Sequence, residues 1–132
     1  MCNFAVEIFE SVGGDGKLKF YKLLENGKAQ IDSFYDKICC SEQLLKDFRG
    51  ILACMNYVAE TGSIMPSTKV NSIKDRGKEI AIEFKKNELR VYCVKKKPAV
   101  LVVLGGFKKE QVADINKLKR FIKENKVLLE KL

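Results

Sequence analysis

The C-terminal half of the chain contains three short, mostly apolar runs separated by brief polar segments, and this spacing constrains the fold most strongly. The runs cover residues 79–84, 89–95 and 99–104. Loops as short as those between them join neighbouring antiparallel strands, so we predict a three-stranded meander. Residues 100–104 are almost wholly apolar, which predicts that the last strand is central and covered on both faces.

The N-terminal quarter predicts a separate pair of strands. Residues 3–10 alternate between apolar and polar side chains, and residues 17–24 fit a second strand. The glycine-rich segment 13–16 is a strong turn signal between them, and residues 25–27 turn the chain again. We therefore predict that the two strands pair as a hairpin.

Two helices are predicted between this hairpin and the meander. Apolar residues follow helical spacing over 31–38 and again over 44–59. Ser41 is suited to cap the start of the second helix and Gly62 its end, and Pro66 prevents its continuation. The pattern predicts a helical hairpin followed by a polar connection through residues 61–78.

A basic amphipathic helix is predicted from about Glu110. Its expected buried face carries Val112, Ile115, Leu118 and Ile122, with Lys117, Arg120 and Lys123 facing away. The order of strands and helices indicates an α+β fold in a single domain over residues 1–132. We expect a small antiparallel sheet with an N-terminal hairpin, the helical hairpin packed on it, and a C-terminal helix.

Positive charge is concentrated towards the C-terminus. The whole chain has a net charge of +8. Residues 84–132 contain 14 Lys and Arg against 5 Asp and Glu, a net charge of +9, whereas residues 1–83 have a net charge of −1. This asymmetry predicts that the sheet-and-helix segment binds a polyanion or an acidic protein.

Several kinds of site and compartment are disfavoured by composition. The chain has no histidine, which excludes Cys/His zinc sites and Ser-His-Asp triads. Its five cysteines, an odd number, indicate reduced thiols in a cytoplasm: Cys2, Cys39, Cys40, Cys54 and Cys93. We find neither a secretory signal nor an apolar run of the roughly 18 residues that a membrane span needs. We expect a cytoplasmic protein with no metal and no small-molecule cofactor.

Four stretches of the chain carry a resemblance to a known family. They are 27–34 (GKAQIDSF), 72–75 (SIKD), 89–92 (LRVY) and 106–111 (GFKKEQ). Together with the order of helices and strands, they resemble the RelE/ParE superfamily of toxins, and most closely its phage-derived, HigB-type branch. The resemblance runs from about Lys17 to the end and implies a RelE-like domain.

The resemblance implies an endoribonuclease that cuts mRNA on the ribosome and is held inactive by an acidic antitoxin protein. Attack of the ribose 2′-hydroxyl on the adjacent phosphate needs a proton acceptor, a proton donor and fixed positive charge. By position, the implied catalytic residues are Arg90, Lys85 and Lys109. Tyr92 shares the strand face of Arg90 and is a candidate to stack on a base or donate a proton. A lysine or Glu83 would have to replace histidine as the proton acceptor.

Other basic residues are candidates for RNA contacts, although solvated loops and helix faces look the same in sequence. These candidates are Lys74, Arg76, Lys95, Lys96, Lys108, Lys117 and Arg120. Residues 127–129 are a candidate exposed apolar tail that an antitoxin would cover. Close backbone approach or a positive-φ turn is expected at Gly105 and Gly106.

Two other functions fit the same residues. One is a non-enzymatic binder on the RelE/ParE fold, either directed at gyrase or degenerate, which the absence of histidine and of lysines at residues 80–83 favours. The other is a general nucleic-acid-binding module without an antitoxin, for which only Tyr92 is well placed to stack on bases. The alternative to a functional role is that Arg90 forms a structural ion pair and Tyr92 lies at the edge of the core.

Overall fold

A computed structural model describes residues 3–13, 15–64 and 67–132, and the expectations for Cys2, Gly14 and Pro66 lie outside these ranges. Within them the chain forms one sheet and four α-helices. The strands are β1 (Phe4–Ile8), β2 (Lys19–Glu25), β3 (Lys28–Ala29), β4 (Val70–Asp75), β5 (Lys78–Lys86), β6 (Leu89–Lys96) and β7 (Ala99–Phe107). The helices are α1 (Gln30–Ile38), α2 (Glu42–Thr61), α3 (Gln111–Glu124) and α4 (Lys126–Glu130), with a short 3-10 helix at Lys108–Glu110.

The α+β class is confirmed, but the sheet is larger than expected and it is mixed. Its strand order is β1-β2-β7-β6-β5-β4, and β3 pairs with β2. The predicted N-terminal hairpin forms, since β1 and β2 are antiparallel. The hairpin then joins the meander through a parallel pairing of β2 with β7. The expectation of a small antiparallel sheet is therefore wrong, because β2 runs parallel to β7 and joins the hairpin to the meander in one larger sheet.

Helices cover both faces of the sheet and create two apolar layers. The helices α1 and α2 pack on one face over a core that includes Phe34, Phe48 and Phe84. The helices α3 and α4 pack on the other face over a core that includes Leu101 and Leu118. This two-sided cover explains why β7 is apolar along almost its whole length, as its sequence predicted.

The predicted ends of α2 are confirmed by their geometry. The Ser41 hydroxyl accepts a hydrogen bond from the Leu44 backbone N–H, which satisfies one of the free donors at the helix start. Gly62 has a φ of 74°, the left-handed conformation that commonly ends helices.

An edge strand occupies part of the segment that was expected to be a polar connection. Strand β4 pairs antiparallel with β5, and a tight turn at Arg76 and Gly77 joins them with φ values of 54° and 80°. Consecutive positive φ values are typical of the tight turns between antiparallel strands. The prediction missed this strand because β4 is largely polar, as edge strands commonly are.

The C-terminal helices differ from expectation in which residues they bury. Val112, expected in the buried face, is 76% exposed, whereas Leu118 and Phe121 are buried. Residues 127–129 do not form an exposed tail: Leu129 is buried and Leu128 packs beside it, and only Val127 is exposed. The buried face of α3 was predicted wrongly at its start, because the first turn of the helix places the polar residues Gln111 and Asp114 against the sheet.

Candidate functional site

The two sequence-predicted site residues of the middle strand lie beneath the start of α3. Arg90 and Tyr92 occupy the α3 face of β6, where the Arg90 side chain is 8% exposed and Tyr92 is fully buried. Since its ring is enclosed, Tyr92 cannot stack on an RNA base in this conformation. The expected stacking role of Tyr92 is therefore wrong, because the ring is buried in the core. The strand face that the alternation predicted for Tyr92 is correct.

Glu83 is the centre of a buried polar cluster on the same face. It is 2% exposed, and its two carboxylate oxygens have separate partners. Asn71 Nδ2 donates to Oε1 over 3.2 Å, and Gln111 Nε2 donates to Oε2 over 2.7 Å. Arg90 Nε lies 4.0 Å from Oε1, so the carboxylate compensates the buried guanidinium charge.

Two donors in this cluster have no hydrogen-bond partner among the residues that the structure describes. Arg90 uses Nη1 to donate to the backbone oxygens of Asn87 (2.7 Å) and Leu89 (2.8 Å), which leaves its Nε unbonded. The hydroxyl of Tyr92 is likewise buried and unbonded. An unsatisfied buried polar group typically costs about 1–3 kcal/mol. The layer under the start of α3 thus contains buried polar groups without hydrogen-bond partners, whereas the layer under its second half is apolar.

Asp114 completes the layer from the helix side. It is buried, and a Cβ added to Gly106 would overlap its carboxylate, so the glycine lets α3 approach the sheet. Burial raises the pKa of Asp114, and the nearby Lys117 ammonium partly opposes this rise. Burial, followed by the charges of Glu83 and Asp114, raises the pKa of Tyr92 far above its usual range, so the hydroxyl stays protonated.

Three basic residues at one end of the sheet, Lys85, Lys108 and Lys109, form what we call the basic rim. Lys85 is paired in register with Arg90, two residues before the turn at Asn87 that joins β5 to β6. Lys108 and Lys109 follow β7 at the same end, and the Lys108 backbone N–H donates to the Glu88 carbonyl. Lys108 and Lys109 are exposed and Lys85 is half-buried. The structure therefore places three of the four predicted catalytic residues and one predicted RNA contact at the same end of the sheet.

Four of the predicted RNA contacts lie at the opposite end of the sheet. These residues are Lys74, Arg76, Lys95 and Lys96. Six residues of extended strand separate Arg90 from Lys96, a distance of roughly 20 Å. Lys95 forms an ion pair with Glu79 over 3.4 Å, and Glu79 also accepts a hydrogen bond from the Ser72 hydroxyl. The predicted cations consequently do not converge on one site.

The last two predicted RNA contacts belong to a third region. Lys117 and Arg120 line a groove of about 700 Å³ between α3 and the floor made by Leu23, Val103 and Leu104. Three carboxylates, those of Glu25, Asp114 and Glu124, also line this groove. Its mixed charge distinguishes it from the basic rim.

Glu83 was expected only as a possible proton acceptor, and its hydrogen-bond partners Asn71 and Gln111 were not predicted. A charged residue inside the apolar run of β5 was the available signal, since buried carboxylates require partners. No group of three or more Cys, Asp or Glu residues in the described ranges is arranged to hold a metal ion. No helix in those ranges is long and apolar enough to cross a membrane.

The arrangement can bind a phosphate at the basic rim and stabilise negative charge there, with Arg90 held at the base of the rim by Glu83. We compared the chain with protein-family models, with curated proteins and with solved structures, and none of the three comparisons found a match.

Proposed function

We propose that the chain is the toxin of a type II toxin–antitoxin pair and acts in the cytoplasm as a ribosome-dependent mRNA endoribonuclease. Its partners are mRNA on the ribosome and an acidic antitoxin protein. The observation that carries the proposal is that Lys85, Arg90 and Lys109 lie at one end of the sheet, where Arg90 is paired with the buried Glu83. Fixed cations stabilise the charge that develops on a phosphate under attack, commonly the largest catalytic contribution.

These residues differ in their exposure to solvent, and we assign their roles accordingly. Lys109 is exposed and Lys85 is half-buried, so both contact the scissile phosphate in this proposal. Arg90 acts from below, where two backbone carbonyls and Glu83 fix its guanidinium. Lys108 adds a contact to the RNA backbone. Tyr92 has no part in binding because its ring is fully buried.

Inducible expression in bacteria tests the proposal. The wild-type protein is expected to arrest growth, and Lys85→Ala/Lys109→Ala is expected to relieve the arrest because it removes two cations from the rim. Lys96→Ala/Lys97→Ala is the matched control, since it removes the same charge from the opposite end of the sheet. A soluble, folded wild-type protein that leaves growth unaffected would contradict the proposal.

A second candidate is a non-enzymatic toxin that binds its target on the same surface. The burial of Tyr92 and the engagement of Glu83 by Asn71 and Gln111 favour it, because neither group is free to transfer a proton in this conformation. Growth arrest with intact transcripts would select this alternative over the nuclease.

A further inference from the structure

A second groove lies on the other side of the molecule, between α2 and the edge strand β4. It encloses about 570 Å³ and is lined along α2 by Gly50, Ala53, Cys54 and Tyr57. A smaller pocket of about 60 Å³ continues it towards the end of β5, next to Phe84. The two cavities share residues of α2 together with Lys69, so they form one continuous depression, which we call the α2–β4 groove.

The charge lining this groove has a single sign. Lys69, Lys85 and Lys86 line the smaller pocket, and no Asp or Glu is among the described residues that line either part. Within the described ranges none of these three lysines forms an ion pair. A concave surface bordered by unpaired cations and by no carboxylate in the described ranges is suited to the backbone of a nucleic acid. By contrast, three carboxylates line the groove beside α3.

The shape of α2 leaves the groove open. Gly50, Ala53 and Cys54 are small residues on one face of the helix, and a Cβ at Gly50 would meet only the aliphatic carbons of Lys86, at 3.7–3.8 Å. Tyr57 follows one turn later on the same face and is 67% exposed. An exposed aromatic ring beside a basic track is the usual platform for stacking a single-stranded base.

Lys85 connects this groove to the basic rim. Lys85 borders the smaller pocket, whereas its side chain lies on the strand face of Glu83 and Arg90, opposite that of Phe84 and Lys86. Gly50 and Tyr57 are separated by roughly 10 Å along the helix axis. An RNA strand leaving the rim at Lys85 would therefore meet first Lys86 and Lys69, and then the ring of Tyr57.

We propose that the α2–β4 groove binds a single-stranded RNA segment, with backbone phosphates at Lys69 and Lys86 and one base stacked on Tyr57. This inference rests on the proposed function, since it extends the path of the same RNA substrate beyond the phosphate held at the rim.

Cys54 provides a direct test because its half-buried thiol lines both parts of the groove. The probe is a short single-stranded oligouridylate, added at low salt while iodoacetamide alkylation of each cysteine is followed by mass spectrometry. Bound RNA is expected to slow alkylation of Cys54 and to leave that of the exposed Cys39 and Cys40 unchanged. These two thiols are internal controls for changes in reagent or pH.

Matched variants test the two contacts separately by fluorescence polarisation with the same oligonucleotide. Lys69→Ala/Lys86→Ala is expected to lower the slope of log affinity against log salt by about 1.4, at roughly 0.7 per phosphate contact, while Lys96→Ala/Lys97→Ala is expected to leave it unchanged. Tyr57→Ala is expected to weaken binding at least about fivefold, whereas Tyr57→Phe retains the ring and the affinity.

The inference is overturned if saturating oligonucleotide leaves Cys54 alkylation unchanged, or if the oligonucleotide does not bind at low salt. If polyglutamate slows alkylation of Cys54 and the oligonucleotide does not, the inference is overturned and the groove binds an acidic protein instead. The nuclease proposal is tested independently by transcript cleavage. If RNA protects Cys54 but transcripts stay intact, the groove binds RNA and the nuclease proposal is rejected. If transcripts are cleaved but Cys54 is not protected, the nuclease proposal stands and RNA binding in the groove is rejected.

Discussion

Glu83 and Arg90 form an ion pair across two neighbouring strands, with Oε1 of the carboxylate 4.0 Å from Nε of the guanidinium. Their side chains are 2% and 8% exposed, so each charge depends on the other for compensation. The same carboxylate accepts a hydrogen bond from Gln111, which begins α3. The pair consequently links β5 and β6 to the helix above them.

Glu83→Ala is expected to destabilise the fold by about 3–5 kcal/mol, because it leaves the Arg90 charge buried and uncompensated. Urea unfolding measures this change. Glu88→Ala, an exposed position in the adjacent turn, is the control and is expected to stay within about 0.5 kcal/mol of the wild type. A change below about 1 kcal/mol for Glu83→Ala would mean that the charge is not buried in solution.

Gly105→Ala is expected to destabilise the protein by about 1–3 kcal/mol through overpacking. A Cβ at this position would lie 2.5 Å from Phe34 Cδ2 and 3.0 Å from Ile31 Cδ1, so α1 would have to move away from β7. The shift would also strain the pair of hydrogen bonds between the Gln30 side-chain amide and the Gly105 backbone. Thermal unfolding is the measurement, and an unchanged midpoint would contradict the close approach.

Gly50→Ala is expected to have the opposite sign. Gly50 lies inside α2, where alanine is favoured over glycine by about 0.8–1.0 kcal/mol, and its new Cβ would make only ordinary contacts with Lys86. Urea unfolding is expected to show a stabilisation of that order. A loss of stability would indicate that α2 packs more tightly on β5 than the 3.7–3.8 Å contacts with Lys86 imply.

Tyr92 is expected to make stability depend on alkaline pH. Its pKa is raised in the folded state, so the stability associated with the protonated hydroxyl is fully present below the unfolded pKa of about 10. That stability is lost as pH rises from there towards the folded pKa. Unfolding free energies measured from neutral to alkaline pH should therefore fall more steeply for the wild type than for Tyr92→Phe. Identical slopes would contradict the burial of the hydroxyl.

The sequence patterns predicted local structure well where a single turn or helix end decides it. Ser41 and Gly62 bound α2 as expected, because capping depends on a few neighbouring atoms. The alternation along β6 correctly assigned Arg90 and Tyr92 to one face. It did not give their depth, since burial of Tyr92 depends on where α3 packs.

Features set by distant parts of the chain were not predictable in this way. The parallel pairing of β2 with β7 joins residues about 80 positions apart and has no local signature. Strand β4 is polar and depends on β5 for its backbone hydrogen bonds. The separation of the basic residues into three regions follows from this topology. Charge content alone does not show it, because composition carries no information on which strands are neighbours.

The most direct test of the central claim, that the basic rim cleaves RNA, is primer extension on mRNA from cells expressing the protein. The account predicts cuts in phase with codons for the wild type and for Lys96→Ala/Lys97→Ala, and their loss in Lys85→Ala/Lys109→Ala. Transcripts that remain intact while the wild-type protein accumulates in folded form would contradict it.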